Sequence, residues 1–227
     1  MTKQNDGLGS GMGWSANEHY KSQTVAADYD ASRFSTLPGR VFNAMEKSLI
    51  LRAFLTLPRG AMIADLPCGT GRLSEPLLQA GFRVHGMDIA TQMLDVASHR
   101  LARFGSAFTR EVIDAKALDR SHTQYAAVLC ARVLMHFELK EQIEFLRGVA
   151  QLTAGPIVIN HSLSSPYLRT RRACKRLLGH QAPARFPVTS AEIGRLLAGA
   201  GLREVRRLRL NRLISEAVYI VAEPISS

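Results

Sequence analysis

The 227-residue chain is predicted to be one α/β domain with a mainly parallel sheet. From about residue 62 onward, short apolar runs alternate with amphipathic stretches, the pattern typical of strands that alternate with helices. The hydrophobic share of 46% and the charged share of 21% are those of a globular protein. No apolar run approaches the roughly 20 residues that a bilayer-spanning helix needs. These observations exclude an integral membrane protein and a disordered chain.

The N-terminal region is predicted to contain a tail and a helical cap. Residues 1–16 are rich in Gly and Ser and hold little that a core could bury, so they are predicted to be a flexible tail. Residues 17–58 are predicted to be helical, because apolar residues recur at helical spacing, as in Val41, Met45 and Leu49. With no linker or internal repeat in the rest of the chain, residues 17–227 are predicted to be a single domain.

The remainder of the chain is predicted to contain seven strands with helices between them. The strands are predicted at 62–66, 83–87, 107–113, 126–130, 156–160, 205–210 and 217–222, and the helices at 72–80, 92–104, 139–151 and 190–200. Strand–helix alternation favours right-handed crossovers and parallel pairing. The connection between the last two strands is short and polar, which predicts antiparallel pairing there.

The net charge of +10 lies in one part of the chain. Residues 161–212 contain 12 Lys and Arg against two acids, whereas the rest of the chain is balanced. Residues 161–188 are therefore predicted to be a basic insert or lid. A helix over 165–178 has five cations on one face, including Arg172, and favours contact with an anionic membrane surface. The alternative is a solvated face packed on the domain.

The three cysteines, Cys68, Cys130 and Cys174, are odd in number and far apart, without metal-ligand spacing. This pattern is typical of a protein of the cytoplasm and predicts no metal site. The N-terminus has no apolar segment of the kind that a secretory signal requires.

The turn after the first predicted strand is predicted to seat a ligand. Residues 65–71 are Asp-Leu-Pro-Cys-Gly-Thr-Gly, and two glycines at a strand-to-helix turn let the backbone approach a ligand that a Cβ would exclude. Such a turn can also serve only to close a tight loop. A second acid, Asp88, ends the second strand and can accept both ribose hydroxyls of a nucleoside.

The electrostatics of this turn favour S-adenosylmethionine over NAD. A dinucleotide fingerprint has a third glycine where this chain has Ser74, and it binds a pyrophosphate at the helix N-terminus. Asp65, four residues before Gly69, would repel a pyrophosphate. The same carboxylate suits a ligand with an ammonium and a sulfonium group.

At these residues the sequence resembles the class I S-adenosylmethionine-dependent methyltransferases. Residues 63–72 and 84–94 resemble motif I and the acidic motif that follows it, closest to the small-molecule branch with quinone-pathway and natural-product enzymes. The resemblance extends to residues 25–30, 114–115, 128–137 and 187–202. It implies a Rossmann-like, seven-stranded, mainly parallel sheet with the last strand antiparallel, helices on both faces and an N-terminal helical cap. Pro67 departs from the family pattern, which often has Gly there.

The resemblance implies S-adenosylmethionine as cofactor, S-adenosylhomocysteine as product and no metal. It also implies that Gly69 and Gly71 admit the methionine moiety and that the backbone near Cys130 meets the methionyl amine. Tyr29 would close over the methyl group, and the Asp65 carboxylate would face the cationic end of the ligand.

For the nucleoside, the resemblance implies that Asp88 binds the ribose and that Ile89 and Met93 flank the adenine. Asp114 would contact the adenine amino group, and Ala115 would supply a backbone amide.

Candidates for contact with the methyl acceptor follow the strand ends, where ligands of an open parallel sheet bind. His161 after strand five and His136 after strand four are the predicted catalytic residues, because either could take a proton from a hydroxyl. Packing against the following helix is the alternative for His136. Arg132 and Arg172 are candidate substrate-binding residues, and a plain surface position is the alternative for Arg132.

Two classes of function follow. The first is methyl transfer to oxygen or nitrogen of a small-molecule or lipid-like acceptor, including anionic ones, by a cytoplasmic enzyme that can meet the inner membrane face peripherally. The second is an RNA methyltransferase or RNA-binding relative. Against the second, aromatic residues do not interleave with the cations, and no Asn-Pro-Pro-aromatic motif follows strand four. A cofactor-binding fold without catalysis is a third alternative.

Overall fold

The structure is a computed structural model that describes residues 34–115, 118, 124–163, 170, 188–210 and 217–225. Seven strands of this part form one sheet: β1 (Met62–Asp65), β2 (Arg83–Asp88), β3 (Phe108–Val112), β4 (Ala127–Cys130), β5 (Ile157–Ser162), β6 (Leu202–Arg209) and β7 (Ala217–Pro224). Their order in the sheet is β3-β2-β1-β4-β5-β7-β6. The α/β fold predicted from the sequence is confirmed.

The strand directions also agree with the prediction. Strands β1 to β5 pair in parallel, and β7 is antiparallel to both β5 and β6. Strand order reverses between β1 and β4, because β2 and β3 lie on one side of β1 and all later strands on the other. Open parallel sheets bind their ligands at the carboxyl ends of the strands at such a switch point.

Five helices of the described residues cover the two faces: α1 (Leu37–Ala53), α2 (Ser74–Gln79), α3 (Thr91–Leu101), α4 (Leu139–Ala150) and α5 (Ser190–Gly199). Local sequence defines several of their ends. The Thr36 hydroxyl caps α1, and capping boxes formed by Thr189 with Glu192 and by Glu138 with Glu141 begin α5 and α4. The predicted helix 92–104 ends earlier, at Leu101, where a 3-10 segment takes over.

Alternating residues of the central strands point into two separate cores. Ile157 and Ile159 of β5 pack in the core beneath α4 and α5, whereas Val158 packs in the core beneath α1 and α2. Because side chains alternate along a strand, Asn160 lies on the α1 side and His161 on the α4 side. β5 pairs with β4 only up to Ile159, so both residues lie beyond the end of β4, at the carboxyl rim of the sheet.

The basic insert leaves and re-enters the fold at this same rim. Leu163 and Val188 form a β-bridge, and the Val188 amide donates to the Ser162 carbonyl at 3.1 Å. The predicted tail 1–16, the cap before Phe34 and nearly all of the predicted helix 165–178 lie outside the described residues. In the part of the chain that the structure describes, no helix combines the length and apolar character needed to span a membrane.

The arginines of β6 lie on an edge strand that pairs only with β7. Arg203 forms an ion pair with Glu223 at 2.6 Å, and Arg207 forms one with Glu204 at 2.5 Å. Charged side chains on an edge strand discourage pairing with other chains. This part of the basic segment is therefore partly neutralised by nearby acids.

The fit of the first turn against β2 makes a testable prediction. A Cβ at Gly86 would lie 2.7 Å from Cys68 Sγ and 2.9 Å from Phe108 Cε2. We expect Gly86→Ala to lower the free energy of unfolding by about 1–3 kcal/mol through overpacking. Urea denaturation would measure it. Gly194→Ala is the control, because a Cβ there meets nothing within 4 Å. It should stabilise α5 by about 0.5–1 kcal/mol. Equal effects of the two substitutions would contradict this packing.

Candidate functional site

The turn after β1 is held against the end of β2 by backbone hydrogen bonds. The Cys68 amide donates to the Met87 carbonyl at 2.8 Å, and the Gly69 amide donates to Asp88 Oδ2 at 2.8 Å. The Gly71 amide closes the turn by donating to the Cys68 carbonyl at 3.1 Å. The turn is thereby fixed at the switch point of the sheet.

Different structural constraints favour glycine at the two glycine positions of the turn. Both have positive φ, +55° at Gly69 and +70° at Gly71. A Cβ at Gly71 would lie 2.7 Å from Leu101 Cδ1, so this position is closed by the end of α3. A Cβ at Gly69 would meet nothing within 4 Å and would project into open space. Gly69 therefore presents bare backbone to the space in which a ligand would lie.

Asp88 is oriented by two backbone amides. Oδ2 accepts from Gly69 and Oδ1 accepts from the Ala90 amide at 2.9 Å, while the residue is only 7% exposed. Burial raises the pKa of its carboxyl, and the amide hydrogen bonds counteract part of that rise. A carboxylate offers about four lone-pair sites, so Asp88 can accept from further donors. Asp88 is thus a fixed acceptor at the end of β2.

Apolar residues follow Asp88. Ile89 is 38% exposed and lies directly beside the buried carboxylate. Met93 is buried against Ala90 one turn into α3. The segment after β3 comes alongside, because the Ile113 amide donates to the Asp88 carbonyl at 3.1 Å; Asp114 follows it and is exposed.

Asp65 is a buried carboxyl at the end of β1. It is 1% exposed, and the Ser74 hydroxyl donates to its Oδ2 at 2.5 Å. Burial, with a smaller contribution from the Asp88 charge, raises the pKa of Asp65 to about 7, while the Ser74 hydrogen bond acts in the opposite direction. Ser74, which stands where a dinucleotide fingerprint has its third glycine, thus has a defined structural role. The sequence pattern did not indicate this hydrogen bond.

The two thiols in this region are not activated. Cys68 and Cys130 are buried, and burial raises the pKa of both thiols. The Cys68 sulfur packs beside Gly86 and lies 3.6 Å from the Ser74 hydroxyl. These thiols pack as small apolar groups, since a reactive cysteine needs a lowered pKa and exposure. Across the described ranges, no group of three or more His, Cys, Asp and Glu side chains could hold a metal ion.

The nine described candidates for cofactor contact lie at or beside the carboxyl ends of β1 to β4: Asp65, Gly69, Gly71, Asp88, Ile89, Met93, Asp114, Ala115 and Cys130. Tyr29 and Arg172 lie outside the described residues, so their predicted roles stay predictions.

The two candidate catalytic histidines have different surroundings. His161 is fully buried; its Nδ1 accepts from the Ser162 amide at 2.9 Å and its Nε2 lies 3.0 Å from Gln142 Oε1 of α4. This arrangement makes Nε2 the protonated nitrogen, and burial lowers the pKa of the ring. His161 faces α4, and neither ring nitrogen has a lone pair available to take a proton from a methyl acceptor. His136 is half-buried in the turn Leu134–His136 after β4.

Arg132 is held by a buried acid that the sequence analysis did not single out. Its Nη1 lies 3.1 Å from Glu46 Oε1, and Arg72 Nη2 lies 2.7 Å from Glu46 Oε2. The hydroxyl of Tyr219 in β7 also donates to Glu46. Burial opposes ionisation of Glu46, but the guanidinium groups of Arg132 and Arg72 outweigh it and keep its pKa below the usual value. In the sequence, the feature that could have indicated this buried acid is a glutamate among the apolar positions of α1.

With this geometry in place, comparison with known families shows what this part of the chain is similar to. Residues 63–154 match a family model described as "Methyltransferase domain". The match covers the turn after β1, the end of β2 and the whole of β4. The resemblance to class I S-adenosylmethionine-dependent methyltransferases is confirmed.

Among solved structures, the chain is similar to magnesium protoporphyrin IX methyltransferase from Synechocystis PCC 6803 with bound SAH. The two share 19% identity with a TM-score of 0.73, over 92% of this chain and 98% of the other. At 19% sequence identity, this similarity establishes the fold alone.

Curated relatives match over shorter segments. A magnesium-protoporphyrin O-methyltransferase of Synechocystis sp. is 28% identical over 101 residues, 44% of each protein. A ubiquinone biosynthesis O-methyltransferase of Burkholderia thailandensis is 37% identical over 78 residues, 34% of each protein. The chain thus spans less than half the length of the curated relatives it matches.

Asp65 makes a pH-dependent prediction. The ordinary pKa of an aspartate is 3.8 and that of Asp65 in the fold is about 7, so the folded state retains a proton that the unfolded state releases between these pH values. Stability therefore falls as pH rises through this window, by on the order of a few kcal/mol at ~1.4 kcal/mol per pKa unit. Asp65→Asn removes this charge and keeps an acceptor for Ser74. We expect the variant to be more stable than the wild type at pH 8, with the difference shrinking toward pH 4.

Urea denaturation across this pH range measures the effect. Asp95→Asn is the control, because Asp95 is exposed and pairs with Arg110 at 2.5 Å. A stability difference for Asp65→Asn that does not grow with pH would contradict the buried-carboxyl assignment.

Proposed function

We propose that this protein transfers the methyl group of S-adenosylmethionine to oxygen or nitrogen of a small-molecule or lipid-like acceptor. The observation that carries the proposal is the pairing of Gly69 with Asp88. Gly69 offers bare backbone toward open space, and its own amide orients the carboxylate of Asp88 beside that space. The match of residues 63–154 to a methyltransferase domain supports the same function.

The residues present fit the methionine end of this cofactor. Gly69 leaves room that a Cβ would fill, and Gly71 closes the turn behind it. The buried Asp65 favours a nearby positive charge, which would lower its pKa and favour the ionised form. Backbone near Cys130 would meet the amine, and Tyr29 would close over the methyl group as the family resemblance implies.

The nucleoside end fits the surface that begins at Asp88. Its carboxylate would accept the ribose hydroxyls through the lone pairs that Gly69 and Ala90 leave available. The exposed Ile89 and the adjacent Met93 would flank the adenine. Asp114 and the backbone of Ala115 would contact the adenine edge.

The bound sulfonium would supply an electrophilic methyl group, and the residues of this chain would position the donor and the acceptor. In-line displacement needs donor and acceptor held in line at close range, so orientation by the strand ends accounts for much of the catalysis. Where the acceptor is a hydroxyl, His136 is the better-placed base, because both ring nitrogens of His161 are engaged with Ser162 and Gln142. We assign His161 to positioning β5 against α4.

The curated relatives support a small-molecule acceptor and oxygen as its reacting atom, since both are named O-methyltransferases. The basic insert supports an anionic acceptor or an anionic surface. Its ends at Leu163 and Val188 lie at the rim of the sheet that also carries the cofactor turn. Arg172 of the insert and Arg132 are the residues proposed to contact the acceptor.

The cofactor assignment is tested by calorimetry with S-adenosylhomocysteine. We expect Asp88→Ala to weaken binding about tenfold or more, because charged hydrogen bonds to the ribose are lost. Asp95→Ala is the matched control, since Asp95 is an exposed aspartate of α3 outside the site. Unchanged affinity of Asp88→Ala would refute the site, and no binding by the wild type would refute the proposed function.

The acceptor class is tested with radiolabelled methyl donor and fractionated cell extract. We expect label in small molecules or lipid, together with retention on anionic liposomes that weakens with salt. Replacing the six basic residues of 164–187 by Gln should abolish that retention and leave S-adenosylhomocysteine affinity unchanged. Label in RNA, with RNA binding of steep salt dependence and no lipid retention, would establish the alternative function.

A further inference from the structure

A buried ion cluster connects α1 to the two segments that hold the proposed cofactor. Its centre is Glu46, which is fully buried and contacts Arg72, Arg132 and Tyr219. Arg72 directly follows the glycine turn, and Arg132 lies two residues beyond the end of β4. Four parts of the fold therefore meet at one carboxylate.

The cluster requires an ionised glutamate. One carboxylate faces two guanidinium groups, which keep the pKa of Glu46 low despite burial. A buried ion pair stripped of one partner leaves an uncompensated charge, so each member depends on the others. Because Glu46 belongs to α1, docking of this helix places the carboxylate against both arginines.

The backbone at Arg132 needs such an anchor. Its φ is +69°, the left-handed conformation that residues other than glycine rarely adopt. Strained conformations persist where surrounding contacts hold them, and they cluster at binding sites. One such contact here is the ion pair between the Arg132 side chain and Glu46. Arg132 belongs to the segment after β4 that would meet the methionyl amine.

Arg72 strengthens the connection from the other side. Its Nη1 donates to Asn43 Oδ1 at 2.6 Å, and its guanidinium lies 4.7 Å from the centre of the Phe34 ring. Asn43, Phe34 and Glu46 all lie in or just before α1. The same helix thus orients the residue next to Gly71 and the residue that follows the end of β4.

We propose that Glu46 is a positioning residue for the donor site: through Arg132 it couples docking of α1 to the backbone geometry of the segment after β4. The inference rests on the proposed function, because the ligand that benefits is S-adenosylmethionine. Glu46 lies beneath the site and acts through the arginine without touching the ligand.

Calorimetry with S-adenosylhomocysteine tests this, at a temperature where circular dichroism shows every variant folded. We expect Glu46→Gln to weaken binding about tenfold. Glu75→Gln is the matched control, because Glu75 also joins α1 to α2 by an ion pair, with Lys47 at 2.7 Å, yet does not contact Arg132. It should keep wild-type affinity. Equal affinities of Glu46→Gln and wild type would overturn the proposal.

A double-mutant cycle separates positioning from a general loss of stability. Glycine adopts a φ of +69° without an anchor, so in an Arg132→Gly background we expect Glu46→Gln to weaken S-adenosylhomocysteine binding clearly less than in the wild-type background, with the remaining effect acting through Arg72. An equal loss in both backgrounds would overturn the proposal. Where Glu46→Gln does not fold, Glu46→Asp, which keeps the charge and shifts its position, takes its place in the cycle. Failure of the wild type to bind would instead refute the proposed function.

Discussion

The hydrogen bond from the Gly69 amide to the Asp88 carboxylate joins the two strand ends on which the site is built. It fixes the turn after β1 relative to the end of β2, and with the Ala90 amide it fixes both oxygens of Asp88. The positive φ of Gly69 turns the backbone so that it can donate this bond while leaving open space on its other side. The proposed contacts to the nucleoside lie on and around this carboxylate.

Around this bond, two buried carboxyls have opposite electrostatic surroundings. Glu46 faces two arginines and remains ionised, whereas burial, with a smaller contribution from the Asp88 charge, raises the pKa of Asp65 to about 7. The first carboxylate stabilises the docked helix α1. The second destabilises the fold above neutral pH, and a cationic ligand would relieve this cost. This difference supports our proposal that a positive group of the ligand lies on the Asp65 side of the turn.

The basic residues of the chain fall into two groups with different surroundings. Arg203 and Arg207 of β6 are paired with glutamates, so the charge of the edge strand is partly neutralised. The predicted insert 161–188 holds six Lys and Arg and no acid. Its residues Leu163 and Val188 form a bridge at the carboxyl rim of the sheet. This concentration of positive charge supports our proposal of an anionic acceptor or surface.

The sequence by itself determined the alternation of strands and helices along the chain, the glycine turn, the position of Asp88 and the antiparallel pairing of the last two strands. These features follow from the local spacing of apolar residues and glycines. Tertiary structure decided which faces those residues meet. Alternation predicts that Asn160 and His161 point to opposite sides, yet only the packing of α4 brings Gln142 to His161 and engages its ring. The ion pair between Glu46 and Arg132 joins residues 86 positions apart, and local spacing carries no record of a partner that distant.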